Sequence, residues 1–211
     1  MEGTHAQIAE DLEYSVGGSV RGYVVKVDSE WVWITVARNM MARLFILDSS
    51  CEPTELNDFQ KRYSAGQAVE ARILSVDKEK KLLRLTLRQS SFAYNQVFNH
   101  QSCEDGEENK LSVVNGTECI FQGDIVGGRI KKILPAVGGL LVQIGQHLHG
   151  KVHYTELADT WMLHPLSGYQ GQFVKCKVLE ISRSSGGPVH VDLSLRASLL
   201  VHDSNIPPAP M

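Results

Sequence analysis

Gly17-Gly18-Ser19-Val20-Arg21-Gly22-Tyr23-Val24-Val25-Lys26-Val27 and Gly123-Asp124-Ile125-Val126-Gly127-Gly128-Arg129-Ile130-Lys131-Lys132-Ile133 are one pattern written twice, 106 residues apart. Gly17, Gly22, Val24 and Val27 return as Gly123, Gly128, Ile130 and Ile133. A repeat of this kind sets the domain organisation before any strand is assigned. Moving outward, Ile34, Val36 and Leu44 recur at an offset of 108 as Val142, Ile144 and Val152, two extra residues falling within Leu134 to Gly139. Gly66-Gln67-Ala68-Val69 recurs at 105 as Gly171-Gln172-Phe173-Val174, and Leu85-Thr86-Leu87-Arg88 at 108 as Leu193-Ser194-Leu195-Arg196. The offset changes only at turn-like residues, such as Ser184-Ser185-Gly186-Gly187-Pro188, where loops absorb insertions.

Each copy holds five short β-rich runs with period-two alternation. In the first they span Ser19–Val27, Trp31–Val36, Ala42–Leu47, Ala68–Val76 and Leu82–Arg88; in the second Asp124–Ile133, Leu140–Ile144, Gly150–His153, Phe173–Ile181 and Val189–Arg196. The long gap between runs three and four, with Thr54 to Phe59 or Thr155 to Asp159, suits a short helix. The expected fold is therefore all-β: two five-stranded barrels of the oligonucleotide-binding (OB) kind in tandem, each with a helical connection between strands 3 and 4. Closure removes the exposed edges that invite aggregation.

The 211 residues divide as an acidic flank over 1–14, a first barrel over 15–89, an acidic linker over 90–120, a second barrel over 121–196 and a tail over 197–211. Net charge is −3, yet the acids concentrate outside the barrels: residues 15–89 carry twelve basic and nine acidic groups, and residues 121–196 eight and five. Each barrel is mildly basic, which fits weak binding of a polyanion. No apolar run approaches the ~18 residues of a membrane span, and the first residues lack a signal peptide's basic start and apolar middle, so a soluble intracellular chain is expected. Cys51, Cys103, Cys119 and Cys176 never form the close pairs of zinc or redox motifs and read as free thiols.

Four segments of the second copy, Gly123 to Ile130, Gly150 to Leu157, Gly171 to Leu179 and Asp192 to Arg196, resemble in order the S1 domain, the RNA-binding OB-fold barrel of ribosomal protein S1. The first copy is more divergent, with Arg43-Leu44-Phe45-Ile46-Leu47 in place of the family's Val-His-Ile-Ser type of run. Gly18 to Val27 with Trp31-Val32-Trp33, and Gly123 to Ile133 with Gly138-Gly139, are similar to the nucleolar tandem-S1 proteins of ribosome assembly. That resemblance implies a nucleolar or nuclear RNA-binding segment. Its partners would be single-stranded or structured pre-ribosomal RNA, other assembly proteins and further S1 repeats of the parent chain.

In OB barrels the face of strands two and three meets the ligand. Alternation buries Val32, Ile34 and Val36 and turns Trp31, Trp33 and Thr35 outward; it likewise exposes Arg43, Phe45, Arg84 and Arg88. Trp33, Phe45 and Arg43 would then meet on one face, and unpaired bases stack on such rings for ~1–3 kcal/mol each. The family pattern places Trp33 at its stacking Phe, Phe45 at its His, and Asp77 with Lys81 or Arg84 near its acidic and basic contacts. Glu30 stands where the family has a first aromatic. In the second copy Leu141 replaces an aromatic, His153 matches the family's His, Lys151 and His190 complete the face, and Lys132, Lys151 and Lys175 would contact the backbone, with base stacking weaker there than on the first barrel.

His147, His149 and His153 do not have the spacing of a closed zinc set, and the Gly-rich runs lack a phosphate-loop ending, so neither metal nor cofactor is expected. Trp161 is read as a core plug of the connection. No nucleophile with a base, and no paired carboxylates, concentrate in the chain, which is read as non-enzymatic. Two alternatives stand beside RNA binding: a protein-docking module with little direct RNA contact, and accessory barrels of a ribonuclease or translation factor.

Overall fold

A computed structural model describes residues 14–88, 112–114, 119–135, 138–160, 166–183 and 189–201. The first barrel is built from β1 (Ser19–Val27), β2 (Trp31–Ala37), β3 (Met40–Phe45), β4 (Ala68–Asp77) and β5 (Leu82–Thr86), closed in the order β1-β2-β3-β5-β4. The β3–β5 pair is parallel and the others antiparallel. Between β3 and β4 run three short helices, α1 (Ile46–Ser49), α2 (Pro53–Asn57) and α3 (Phe59–Arg62). Pro53 opens α2, where its missing N–H costs nothing. Leu56 and Phe59, each about 1% exposed, plug the barrel end above Val32, Ile34, Leu44, Ile73, Leu83 and Leu85.

The second barrel repeats the topology with β8 (Ile125–Leu134), β9 (Gly139–Gln143), β10 (His149–His153), β11 (Phe173–Arg183) and β12 (Val189–Ser194), again with one parallel pair, β10–β12. Val126, Ile130, Leu140, Val142, Ile144, Val152, Val178, Val191 and Leu193 form its core. The repeated glycine has a physical cause. A Cβ on Gly22 would lie 2.5 Å from Ile34 Cγ2, and one on Gly128 2.5 Å from Val142 Cγ1, so the close approach of β1 to β2, and of β8 to β9, admits no side chain there.

Several expectations are corrected. The third run ends at Phe45, and Ile46 and Leu47 belong to α1. The connection expected as a helix over Thr155 to Asp159 is a 3-10 turn at Tyr154–Glu156, followed by another at Leu166–Tyr169. Within the stretch read as linker, β6 (Ser112–Val114) and β7 (Cys119–Phe121) pair as a hairpin, with Ile120 in the second core. A short helix, α4 (Ala197–Leu200), opens the tail. Residues 1–13, most of the linker, Trp161 and the end of the tail lie outside the described residues.

The barrels touch. Arg88 Nη2 donates to the Ile144 carbonyl at 2.6 Å, Arg129 pairs with Glu30 at 3.2 Å, Lys175 pairs with Glu52, and Phe173 packs on the first core.

Candidate nucleic-acid interface

On the first barrel Trp33 of β2 and Arg43 of β3 are directly opposite each other on the outer face, both half-buried. Trp33 Nε1 donates to Asp28 Oδ2 at 2.9 Å, and Lys26 pairs with the other oxygen of that carboxylate at 2.6 Å. Those two bonds, Lys26 first, hold the Asp28 carboxyl below the usual carboxylate range. The acid is thus matched by a cation, and the indole ring is fixed in place. The Arg43 guanidinium lies 4.6 Å from the centre of the Trp31 ring, within cation–π range. Burial and the neighbouring Arg84 draw Arg43 below the ordinary arginine value, opposed by Asp77.

Lys81 precedes β5, the strand paired with the one that carries Arg43. It is exposed, and its carbonyl accepts from Met41 N–H at 3.1 Å, tying the β4–β5 turn to β3. The turn, Lys78-Glu79-Lys80-Lys81, is held by Asp77, which accepts from the Lys80 N–H at 2.9 Å and pairs with its ammonium at 3.3 Å. The Lys80 N–H, chiefly, keeps the Asp77 carboxyl below its usual range. Lys81 itself sits at φ 50°, in the left-handed region that non-glycine residues seldom adopt.

Three residues expected to face outward do not: Phe45, Arg84 and Arg88, the last with its side chain 12% exposed and bonded to Asp48, Leu47 and Ile144. Phe45 is 2% exposed and Arg84 2% exposed. The cause is α1, which turns back directly after Phe45 across the outer side of β5. Asp48 in α1 pairs with Arg84 at 3.0 Å and with Arg88 at 3.1 Å, and its carbonyl accepts from Thr86 Oγ1 at 3.2 Å. Trp31 packs over Phe45, with ring centres 4.9 Å apart, and is half-buried. Sequence reasoning also missed Tyr23, 61% exposed on β1 opposite Thr35, and exposed Arg38 at the β2–β3 turn. Tyr23 faces outward by the same alternation that buries Val24, so period two could have found it.

On the second barrel the expected residues do come together. Lys132, Leu141, Lys151 and Asp192 stand opposite one another across β8, β9, β10 and β12. Lys132 and Lys151 are exposed and Leu141 half-buried. His153 and His190 are exposed beside them, and the Thr155 N–H donates to His153 Nδ1 at 3.3 Å. Asp192 stands where the first barrel has Arg84, and it lowers the charge of the row. Lys175 is not on this face but pairs with Glu52 between the barrels. Among the described residues no group of three His, Cys, Asp or Glu side chains is placed to hold a metal ion, and no helix is long and apolar enough to cross a membrane.

No family model matches the chain. Along 92% of its length it is 50% identical to the rRNA biogenesis protein RRP5 of Arabidopsis thaliana, and along 93% it is 25% identical to the rRNA biogenesis protein rrp5 of Schizosaccharomyces pombe. It spans about a tenth of each of those proteins, 10% in both cases. Among solved structures, GSP13 from Bacillus subtilis is 17% identical, covering 44% of this chain and 66% of that one at a TM-score of 0.32. A chain of an a/eIF2alpha–aDim2p–rRNA complex from Pyrococcus horikoshii is 29% identical over 36% of this chain and 44% of that one, at 0.30.

Proposed function

We propose, from the premise that the chain is similar along nearly its whole length to a segment of rRNA biogenesis proteins, that it is an RNA-binding part of a ribosome-assembly factor. Its parent would act in the nucleolus or nucleus, with pre-ribosomal RNA and other assembly proteins as partners and further S1 repeats on either side. Binding is to single-stranded RNA, weak, salt-sensitive and tolerant of sequence. The observation that carries this reading is the cross-strand pair Trp33–Arg43 beside exposed Lys81, an aromatic and two cations on the OB ligand face. A ring already fixed by Asp28 gives up little freedom when a base stacks on it, which favours affinity.

The second barrel contributes phosphate contacts through Lys132, Lys151, His153 and His190, with Leu141 offering apolar area but no stacking ring. Phe45 and Arg84 are buried and outside the contact surface, and Asp77 orders the basic turn. The test is titration of the whole chain with single-stranded and duplex RNA over a salt series. Every phosphate that the protein neutralises steepens the fall of log affinity against log salt by about 0.7 for single strands. A falling affinity with salt and a preference for the single strand support the reading; salt-independent binding, or a steep preference for duplex, contradicts it.

A further inference from the structure

The contact between the barrels is not symmetric. The first barrel presents its α1–α2 end, and the second presents the outer side of β8 and β11, where Gly127 is opposite Lys175 and Arg129 opposite Phe173. A Cβ on Gly127 would lie 2.6 Å from the Ser50 carbonyl oxygen, 2.9 Å from Leu56 Cδ1 and 3.3 Å from the Cys51 Cα. All three atoms belong to the first barrel, and two are backbone. The second barrel therefore does not require glycine at 127 for its own sake; the close approach of its neighbour does. Around that point Lys175 pairs with Glu52, Arg129 pairs with Glu30 and lies 5.5 Å over the Phe173 ring, and Arg88 reaches the Ile144 carbonyl.

The same strand positions in the first barrel carry different residues. By register, Arg21 opposite Glu70 takes the place of Gly127 opposite Lys175, and Tyr23 opposite Ala68 that of Arg129 opposite Phe173. Arg21 and Glu70 are bonded to each other at 2.9 Å on an open surface, their side chains 80% and 55% exposed. An arginine in this place is thus compatible with a complete barrel. It is incompatible with a second barrel end lying against it at the distance seen at Gly127.

We infer that the β8–β11 face of the second barrel is a dedicated receptor for the α1–α2 end of the barrel before it, with Gly127 as the residue that admits that partner, and that the first barrel, carrying Arg21 there, lacks this receptor. The two barrels are accordingly one mechanical unit, and the outward face of β1 with Tyr23 stays open. This goes beyond RNA binding and is measured without RNA, so either idea can fail alone.

The experiment is Gly127→Arg in the whole chain, chosen because Arg21 shows that the barrel tolerates it. The expected result is an unchanged far-ultraviolet spectrum, a larger radius of gyration in small-angle scattering, loss of a single coincident thermal transition in favour of two, and faster labelling of Cys51 in peptide-resolved mass spectrometry. An unchanged radius, one transition and unchanged Cys51 labelling overturn the inference. Should Gly127→Arg fail to fold, the charge exchange decides. Glu52→Lys alone loosens the pair and Glu52→Lys with Lys175→Glu restores it if the inference holds, whereas three indistinguishable scattering profiles reject it.

Discussion

Arg84 lies against Asp48 with its guanidinium 3.0 Å from the carboxylate, both residues under 5% exposed, on the side of β5 that strand alternation assigns to solvent. A buried pair is costly to halve, because the remaining charge is left without compensation. Asp48→Ala strips the carboxylate from both Arg84 and Arg88 and is expected to cost about 3–5 kcal/mol of unfolding free energy. Urea titration measures it; a loss within the scatter of ordinary surface substitutions would remove Asp48 from the core of the fold.

Phe45→Ala empties a site that Trp31 covers, and the expected loss is about 3–5 kcal/mol. The folded fraction of that variant should bind RNA like the parent, since the ring is buried beneath the face. Trp33→Ala should show the reverse pattern: small change in the unfolding midpoint, large change in RNA affinity. Chemical denaturation and RNA titration on the same two preparations separate the roles.

Lys81 occupies the left-handed region at φ 50°. A lysine there is strained by roughly 1–2 kcal/mol, which glycine relieves. Lys81→Gly is therefore expected to raise stability while lowering RNA affinity and flattening its salt dependence. A variant with unchanged stability and unchanged affinity would place Lys81 outside both roles.

Burial pushes the Cys176 thiol up to about 12. The folded chain favours the neutral thiol, so its contribution to stability is complete below the unfolded value of about 8.5 and is lost as pH rises toward the folded one. The stability advantage of the parent over Cys176→Ala should shrink between those limits. Measurement by urea titration at a series of alkaline pH values tests this; an advantage that stays constant with pH would mean the thiol is not protected.

The repeat made the fold legible because Gly22 and Gly128 answer to the same steric demand and because Val32, Ile34, Leu83 and Leu85 keep strict alternation. Phe45 and Arg84 escape that alternation because the strand ends at Phe45 and α1 folds back over β5. A signal was present: Leu44-Phe45-Ile46-Leu47 is four apolar residues in succession, a run that a half-solvated strand does not make. Trp33 and Arg43 lie on the outer side as alternation places them, whereas Lys132 is exposed only because a bulge between Ile130 and Lys132 shifts the register of β8 against β9. Gly128 returns the repeat's Gly22, whereas Gly127 stands where the first copy has Arg21, and only the neighbouring barrel gives that difference a role.

The RNA site is tested by the affinity of a short single-stranded RNA for Trp33→Ala beside a Lys151→Ala, His153→Ala double variant, after each is shown to keep its thermal transition. Trp33→Ala is expected to lose about 1–3 kcal/mol of binding free energy, while the double variant loses less and mainly changes the salt slope. If Trp33→Ala binds like the parent and the second-barrel variant loses most of the affinity, the Trp33–Arg43 face is not the RNA site and the row through Lys151 is.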